Sequence, residues 1–387
     1  MYLIRADGNA RIGAGHLMRC MAIGEELARL QGREAVCFVC ADHQSAALAG
    51  EHGFQSRVLG TDYRNMESEL PLWQRMVSEP AGGEDERRPV LVIDSYHVTD
   101  WYLEALGQYG AVVLMDDMGE HCYPVDCVVN YNAQASLEAY ERLYQGRGTR
   151  LLIGSRYVPL RRQFAEGPDQ WACGVSEAPD GAACGQGEKV PDQWVCGGVS
   201  EAPVYCRPVV RNVLITTGGG DSENIAGEIL KKLYSDKLVF HLVIGQFHPR
   251  FQEMKHLESI YGNIFVHVNV SDMAGLMRTC DLAVTAGGST IYELAAVGVP
   301  FICFSYARNQ EPLTEYIGRK DIAGFAGPWH RSPEKTMERI ATLFDELTGS
   351  KRRRETYVRR ERAMTDGLGA ERLAKALAEG GNCYEKS

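Results

Sequence analysis

The residues best placed to do chemistry are a glycine pair, a hydroxyl pair and an acid within 281–310, DLAVTAGGSTIYELAAVGVPFICFSYARNQ. Gly287 and Gly288 follow a short apolar strand (282–285) and precede a helix (291–297) for which Ser289 and Thr290 are good N-caps. Gly298 and Pro300 end that helix, and the apolar run 301–304 reads as a parallel strand. A glycine turn feeding a helix aims free backbone N–H groups and the positive end of the helix dipole at one point. That is the chemistry of phosphate or diphosphate binding. Glu293 lies about one turn further in, where a carboxylate can accept two ribose hydroxyls. The glycines could instead only permit a tight turn, with Glu293 a solvated helix residue. Asn309 and Gln310 favour the ligand site, because they lie just past the second strand's carboxyl end, where open α/β sheets bind ligands. No G-x-x-x-x-G-K-[ST] occurs, which argues against a P-loop nucleoside triphosphatase.

A second group opens the chain. A strand (2–5) runs into ADGNARIGAGH, which carries Asp7, Gly13, Gly15 and His16, and then into an amphipathic helix (17–30). His16 stands where loop becomes helix, and a helix N-terminus disfavours the imidazolium, so a neutral ring able to accept a proton is expected. Gly13 and Gly15 beside it would let a substrate approach closely. The bland alternative is a histidine capping a turn. The buried strand 89–94 ends in Asp94-Ser95-Tyr96, on the crevice side, where Tyr96 could orient a sugar or a water or merely cover the sheet end. Asp116 and Asp117 end a further strand (111–115). Adjacent residues point to opposite faces, so they read as hydrogen-bonding groups rather than metal ligands. Asn130 ends the strand 126–130, and Thr217, Gly218 and Gly219 form another strand-end glycine loop. Cys37 and Cys40 have C-x-x-C spacing within an apolar strand (34–40), a poor geometry for a metal or redox pair.

The elements that must position these groups alternate strand and helix twice over. At 387 residues the chain should hold two domains, and 45% hydrophobic with 24% charged residues is enough for each to bury a core. The predicted fold class is α/β, with two Rossmann-like doubly wound domains facing one another across a cleft, over 1–163 and 208–365. Residues 366–387 are expected to form a C-terminal helix returning to the first domain. The net charge of −10 argues against nucleic acid as a partner. The basic cluster 351–362, KRRRETYVRRER, reads as a solvated helix face within one long helix, 353–379. No apolar run approaches the ~20 residues that cross a bilayer, and no leader precedes the first strand, so a cytoplasmic protein is expected. Twelve cysteines in a chain of this size need form no disulfides there. Residues 164–207 break the pattern. PDQWACGVSEAP recurs as PDQWVCGGVSEAP, a local duplication within an interdomain connection that is expected to have no catalytic role.

Together IRADGNARIGAGHLMRCMAIGEEL, VLVIDSYHV, MDDM, VVNYNAQ and TAGGSTIYELAAVGVPFICFS…NQ resemble the UDP-sugar hydrolases of pseudaminic acid biosynthesis and the related spore coat polysaccharide proteins. The C-terminal half is similar more broadly to the glycosyltransferase that adds N-acetylglucosamine to lipid I. The resemblance implies a GT-B arrangement and hydrolysis of UDP-2,4-diacetamido-2,4,6-trideoxy-β-L-altropyranose by water, with inversion. It implies no cofactor and no metal. His16 would be the catalytic base, with Asp7, Asp94 and Tyr96 holding the water or the sugar. Arg5, Gly13, Gly15, Arg19, Asn130, Thr217, Gly218, Gly219, Met273, Asn309 and Gln310 would contact substrate. Gly287, Gly288, Ser289 and Thr290 would bind the diphosphate, Glu293 the ribose, and backbone near Val270 the uracil. The chain departs from the family at the duplicated insert, and at Gly8-Asn9 where many relatives carry Ala-Ser. A small-molecule UDP-sugar is thus the expected partner of a monomer acting away from membranes. A UDP-sugar-dependent glycosyltransferase, in which His16 deprotonates an acceptor hydroxyl, is the main alternative, and a non-catalytic nucleotide-sugar binder the second.

Overall fold

Strand after strand in this chain is an unbroken apolar run, VLVID or AVVLM, rather than an alternation, and such runs belong in sheets covered on both faces. The computed structural model describes residues 1–9, 12–78, 88–165, 204, 206–218, 221, 223–245, 248 and 250–380. Most of the 164–207 insert, the loop at 79–87, Gly219, Gly220 and Ser222 lie outside the described residues. The chain divides into two compact units, Met1–Arg162 with Gly367–Ser387, and Gln163–Asp366.

In the first unit β1 (Tyr2–Ala6) leads into α1 (Gly15–Gln31), and β2 (Val36–Cys40) into α2 (His43–Glu51). There follow β3 (Gln55–Val58), α3 (Leu70–Ser78), β4 (Val90–Asp94), α4 (Asp100–Leu106) and β5 (Ala111–Met115). β6 (Cys127–Asn130), α5 (Leu137–Leu143) and β7 (Arg150–Ile153) complete it. All seven strands are parallel, in the order β3-β2-β1-β4-β5-β6-β7. The order reverses direction between β1 and β4, the switch point at which doubly wound sheets open a crevice. Ala6 pairs with Asp94 there, so the segments leaving the two strands start level with each other. Leu3, Val39, Leu91, Leu114 and Trp73 fill the core on one sheet face.

The second unit repeats the scheme. It runs β8 (Asn212–Thr216), α6 (Ile225–Leu233), β9 (Val239–Ile244), α7 (Phe251–Ile260), β10 (Ile264–Val268) and α8 (Met273–Thr279). Then come β11 (Leu282–Ala286), α9 (Ser289–Val297), β12 (Phe301–Ser305), α10 (Glu311–Arg319) and β13 (Gly324–Pro328). α11 (Pro333–Gly349) and α12 (Lys351–Arg362) close it, and α13 (Gly369–Gly380) packs on α1 in the first unit's fold. The strand order is β10-β9-β8-β11-β12-β13, again parallel, with its switch point between β8 and β11.

The structure corrects several expectations. The helix expected over 353–379 is two, α12 and α13, separated by 363–368. Nor is 351–362 simply a solvated face. Arg354 is buried, and its guanidinium donates to the backbone oxygens of Leu347 (2.5 Å), Arg207 (2.7 Å) and Pro208 (3.1 Å). Residues 33–35 form a short 3-10 turn before β2 rather than its start. α5 and β13 were not anticipated, and GFAGP in particular lacks the β-branched residues that signal a strand. Cys37 and Cys40 are free, buried thiols of β2, and burial pushes Cys40 up to about 12.

Glu361 on the inner face of α12 is fully buried. It accepts one long hydrogen bond, 3.3 Å from the Phe301 amide, while its other oxygen has no partner. Burial raises this carboxyl well above the ordinary range, more than that amide lowers it. The folded chain therefore keeps a proton that the unfolded chain releases, and stability falls as pH rises above the unfolded carboxyl value. Glu361→Gln is expected to raise the unfolding midpoint at pH 7 and to do so less and less toward pH 4. A gain independent of pH in denaturant titrations would show that the carboxyl is ionised in the fold.

Candidate functional site

Several of the candidate groups stand at or just past strand ends beside the two switch points. In the first unit β1 runs to a turn that Gly13 completes at φ +75°, its amide donating to Asn9 (2.9 Å). α1 begins at Gly15, one residue before His16, so the histidine lies in the helix's first turn. Its Nδ1 is 2.6 Å from Asp94 Oδ1 at the end of β4. An ionised carboxylate only accepts, so Nδ1 donates to Asp94, and in the neutral ring Nε2 is then the lone pair. The helix dipole is thus not the only influence on this ring, and a carboxylate sits against it.

Arg19, one turn along α1, ties the cluster together. Nε and Nη2 donate to the two oxygens of Asp94 (2.6 and 2.5 Å), and Nη1 donates to Asp117 (2.9 Å) and to the Tyr131 hydroxyl (2.6 Å). The guanidinium carbon also lies 5.3 Å from the Tyr131 ring centroid. Burial alone would raise the Asp94 carboxyl, but Arg19 and then His16 outweigh it and hold it well below the usual range. Burial pushes the Tyr131 phenol up to about 12. Tyr96 places its ring edge-to-face on His16, with centroids 4.7 Å apart. Its hydroxyl donates to Asp117 (2.7 Å). The arrangement is a histidine polarised by a buried carboxylate, with one ring nitrogen free. It can take a proton from a group at Nε2.

The structure brings His16, Arg19, Asp94 and Tyr96 together. Arg19 was expected to contact substrate, yet every nitrogen of its guanidinium is engaged within the cluster. Arg5 and Asp7 belong to another network. Arg5 is fully buried and donates twice to Glu69 (2.9 and 2.6 Å) and once to Asp7 (2.5 Å). Asp7 also accepts the Ala41 amide (2.7 Å), and Tyr102, itself bonded to Trp73, completes the shell of Glu69. Asn130 is buried too, donating to Tyr140 (2.8 Å) and accepting the Asn132 amide (2.9 Å). Asp116 accepts from Tyr140 (2.7 Å) and from the Met118 and Gly119 amides, and Asp117 from Arg19 and Tyr96, so both are hydrogen-bonding groups as expected. Tyr131 was not singled out, although the VVNYNAQ run contains it.

In the second unit Gly287 to Thr290 follow β11. Ser289 is the first residue of α9 rather than its cap. Gly288 holds the cap position without any side-chain hydrogen bond, so the first-turn amides lack that partner. A Cβ at Gly287 would lie 2.7 Å from Thr314 and 3.0 Å from Gln310, so glycine is required for α10 to approach. Gln310 accepts the Tyr306 amide through its side chain (2.8 Å), while Asn309 is exposed. Ser289 is exposed, and Thr290 and Glu293 are half-buried one turn apart. Across the switch point Thr217 donates to Asp221 (2.9 Å), whose carboxylate also accepts the amides of Ile225 and Ala226 at the start of α6. Gly218 follows Thr217, and Gly219 is outside the described residues. Val270 lies in a depression of about 560 Å³ past the end of β10, with Phe251, Lys255, His267 and Asp272, while Met273 is buried at the start of α8. No cluster of three or more metal-ligating side chains occurs among the described residues, and none of their helices is long and apolar enough to cross a membrane.

No protein-family model matches the chain. Its sequence is 22% identical over 310 residues to an uncharacterized protein of Methanocaldococcus jannaschii, across 77% of this chain and 54% of that one. It is 29% identical over 110 residues to the Helicobacter pylori pseudaminic acid cytidylyltransferase and UDP-2,4-diacetamido-2,4,6-trideoxy-β-L-altropyranose hydrolase, across 28% of this chain and 20% of that one. The matches thus span about half or less of the length of these curated relatives. Among solved structures, MurG of Acinetobacter baumannii matches with TM-score 0.58 at 12% identity, over 98% of this chain and 99% of that one. The UDP-GlcNAc 2-epimerase of Neisseria meningitidis, bound to UDP-GlcNAc, matches with TM-score 0.58 at 11% identity, over 98% and 100%. Two parallel-sheet Rossmann-like domains of seven and six strands, matched over their whole length by MurG, give this chain the GT-B glycosyltransferase fold class.

Proposed function

We propose that the protein is an enzyme acting on a UDP-sugar, and that it hydrolyses a UDP-activated 2,4-diacetamido-2,4,6-trideoxyhexose to UDP and free sugar. The observation that supports this reading is the His16–Asp94 pair at 2.6 Å, which engages Nδ1 and leaves Nε2 as the ring atom for proton transfer at the start of α1. In the mechanism, His16 Nε2 takes a proton from water as its oxygen attacks the anomeric carbon from the face opposite UDP, so configuration inverts. The imidazolium that forms is stabilised by Asp94, whose ionised state Arg19 maintains. The departing diphosphate is held by the first-turn amides of α9 at Ser289 and Thr290, which disperse its charge without a general acid. Glu293 accepts the ribose hydroxyls. The name of the H. pylori relative and the UDP-GlcNAc bound in the N. meningitidis structure support a UDP-sugar substrate.

Incubation with candidate UDP-sugars in the absence of any acceptor, following free UDP, tests the reading. Steady UDP release with stoichiometric free sugar is the expected result. Release that needs an added acceptor alcohol would instead make the protein a glycosyltransferase, with His16 deprotonating that alcohol. Glu293→Ala is expected to weaken UDP binding by roughly 1.5–3 kcal/mol, the scale of hydrogen bonds to a charged group. Unchanged UDP affinity by calorimetry would remove Glu293 from the nucleotide site.

A further inference from the structure

Asp117 follows β5 and is the second carboxylate of the His16 cluster. Its Oδ1 accepts from Arg19 Nη1 (3.0 Å) and Asn132 Nδ2 (3.4 Å), and its Oδ2 from Arg19 Nη1 (2.9 Å) and the Tyr96 hydroxyl (2.7 Å). Because a carboxylate cannot donate, the phenolic proton of Tyr96 is fixed on the Asp117 side. What the Tyr96 oxygen retains is lone pairs, on a residue that is 57% exposed. His16 in its neutral form is in the same condition, its Nδ1 proton committed to Asp94 and its Nε2 an acceptor. Two neighbouring groups with rings 4.7 Å apart therefore both present acceptors, each backed by its own carboxylate. One guanidinium, that of Arg19, bridges the two carboxylates. The charged groups around the ring are Asp94, Asp117 and Arg19, a net charge of −1, with the Cys20 thiol, which burial and Asp94 keep protonated, and the Tyr131 phenol beside them.

We propose that Asp117 is a positioning residue for the reaction at His16. It turns the Tyr96 proton inward, so that the Tyr96 oxygen accepts from an O–H or N–H group of the ligand standing at Nε2, and it seats Arg19 against Asp94. The proposal rests on His16 being the base. Desolvation of the hydroxyl end and then the Asp117 carboxylate push the Tyr96 phenol above its ordinary range, although the residue as a whole is more than half exposed, and this agrees with the hydrogen bond. Asp117→Asn has a definite consequence. Its amide nitrogen cannot face the Arg19 guanidinium, so the amide oxygen must. The amide nitrogen then donates to Tyr96 and turns the phenolic proton outward.

Two measurements test this, one of which needs no substrate. With 13Cζ-tyrosine labelling, the Tyr96 signal is identified by its absence from Tyr96→Phe. Its ionisation should lie at lower pH in Asp117→Asn than in the parent chain. Identical titration in the two proteins would overturn the proposal. In steady-state assays Asp117→Asn is expected to lower kcat about 10–100-fold with KM changed only a few-fold, and Asp117→Glu to restore part of it. In a Tyr96→Phe background the same substitution should cost clearly less. A fall in melting temperature with kcat intact, or full additivity with Tyr96→Phe, would reduce Asp117 to a structural residue. Failure of the parent protein to release UDP from any nucleotide sugar would sink the proposed function, while the Tyr96 titration would still decide whether Asp117 holds that proton.

Discussion

His16→Asn should lower kcat by about 10²–10⁴-fold, the usual worth of a positioned general base, while UDP binding persists. Asparagine keeps a polar group of similar size, and its amide can still donate to Asp94, so the fold around Arg19 and Tyr96 should survive. What disappears is the basic nitrogen. In the parent protein the neutral ring is the active form, so kcat should fall as acid protonates Nε2. The variant's residual rate should lose that dependence. Turnover within a few-fold of the parent would mean that water is activated elsewhere. Asp94 would be a poor substitute, because Arg19 and His16 already claim its oxygens and suppress its basicity. Such a result would also weaken the resemblance on which the reaction type rests.

The largest effect on stability is expected from the buried network under the first sheet. Arg5→Ala would leave the carboxylates of Glu69 and Asp7 in a core where Arg5 and Glu69 are fully buried and Asp7 nearly so. Breaking such a pair from one side costs about 3–5 kcal/mol, a large share of the 5–15 kcal/mol by which domains are stable. In calorimetry the transition of the unit built on β1–β7 should move to lower temperature or vanish, with that of the β8–β13 unit in place. The control is the apolar replacement Arg5→Met with Glu69→Leu. It should recover part of the loss, because removing both charges leaves only Asp7 to be accommodated. A melting temperature unchanged in Arg5→Ala would show that water reaches the network.

Much of the fold was legible in the chain. Unbroken apolar runs punctuated by glycine loops have few solutions other than parallel sheets, and the right-handed crossover rule leaves each helix little freedom of placement. The residues His16, Asp94, Tyr96, Gly287 and Glu293 stood out as candidates for the same reason. Strand ends in such sheets face one crevice, so polar residues at those positions are conspicuous. β13 was missed because GFAGP has neither periodicity nor β-branched residues, and only pairing with β12 makes it a strand. The break at 363–368 was missed because α12 ends there without a proline, and the packing of α13 on α1 belongs to a contact distant in sequence.

By itself, then, the sequence determined the class of the fold and pointed to two glycine turns and one histidine as candidates for the site. Those follow from local pattern, in which each residue's neighbours along the chain supply the information. Only the tertiary structure decided how the polar side chains pair. Arg5, Arg19, Asp7, Asp94 and Asp117 are alike in the sequence, five charged residues at strand ends or on a helix. Arg5 goes to Glu69, 64 positions away, and becomes a core ion pair. Arg19 crosses to Asp94 and Asp117, 75 and 98 positions away, and becomes the brace of His16. Partners so far apart are set by strand order and register, because buried charges must find one another wherever the sheet has placed them.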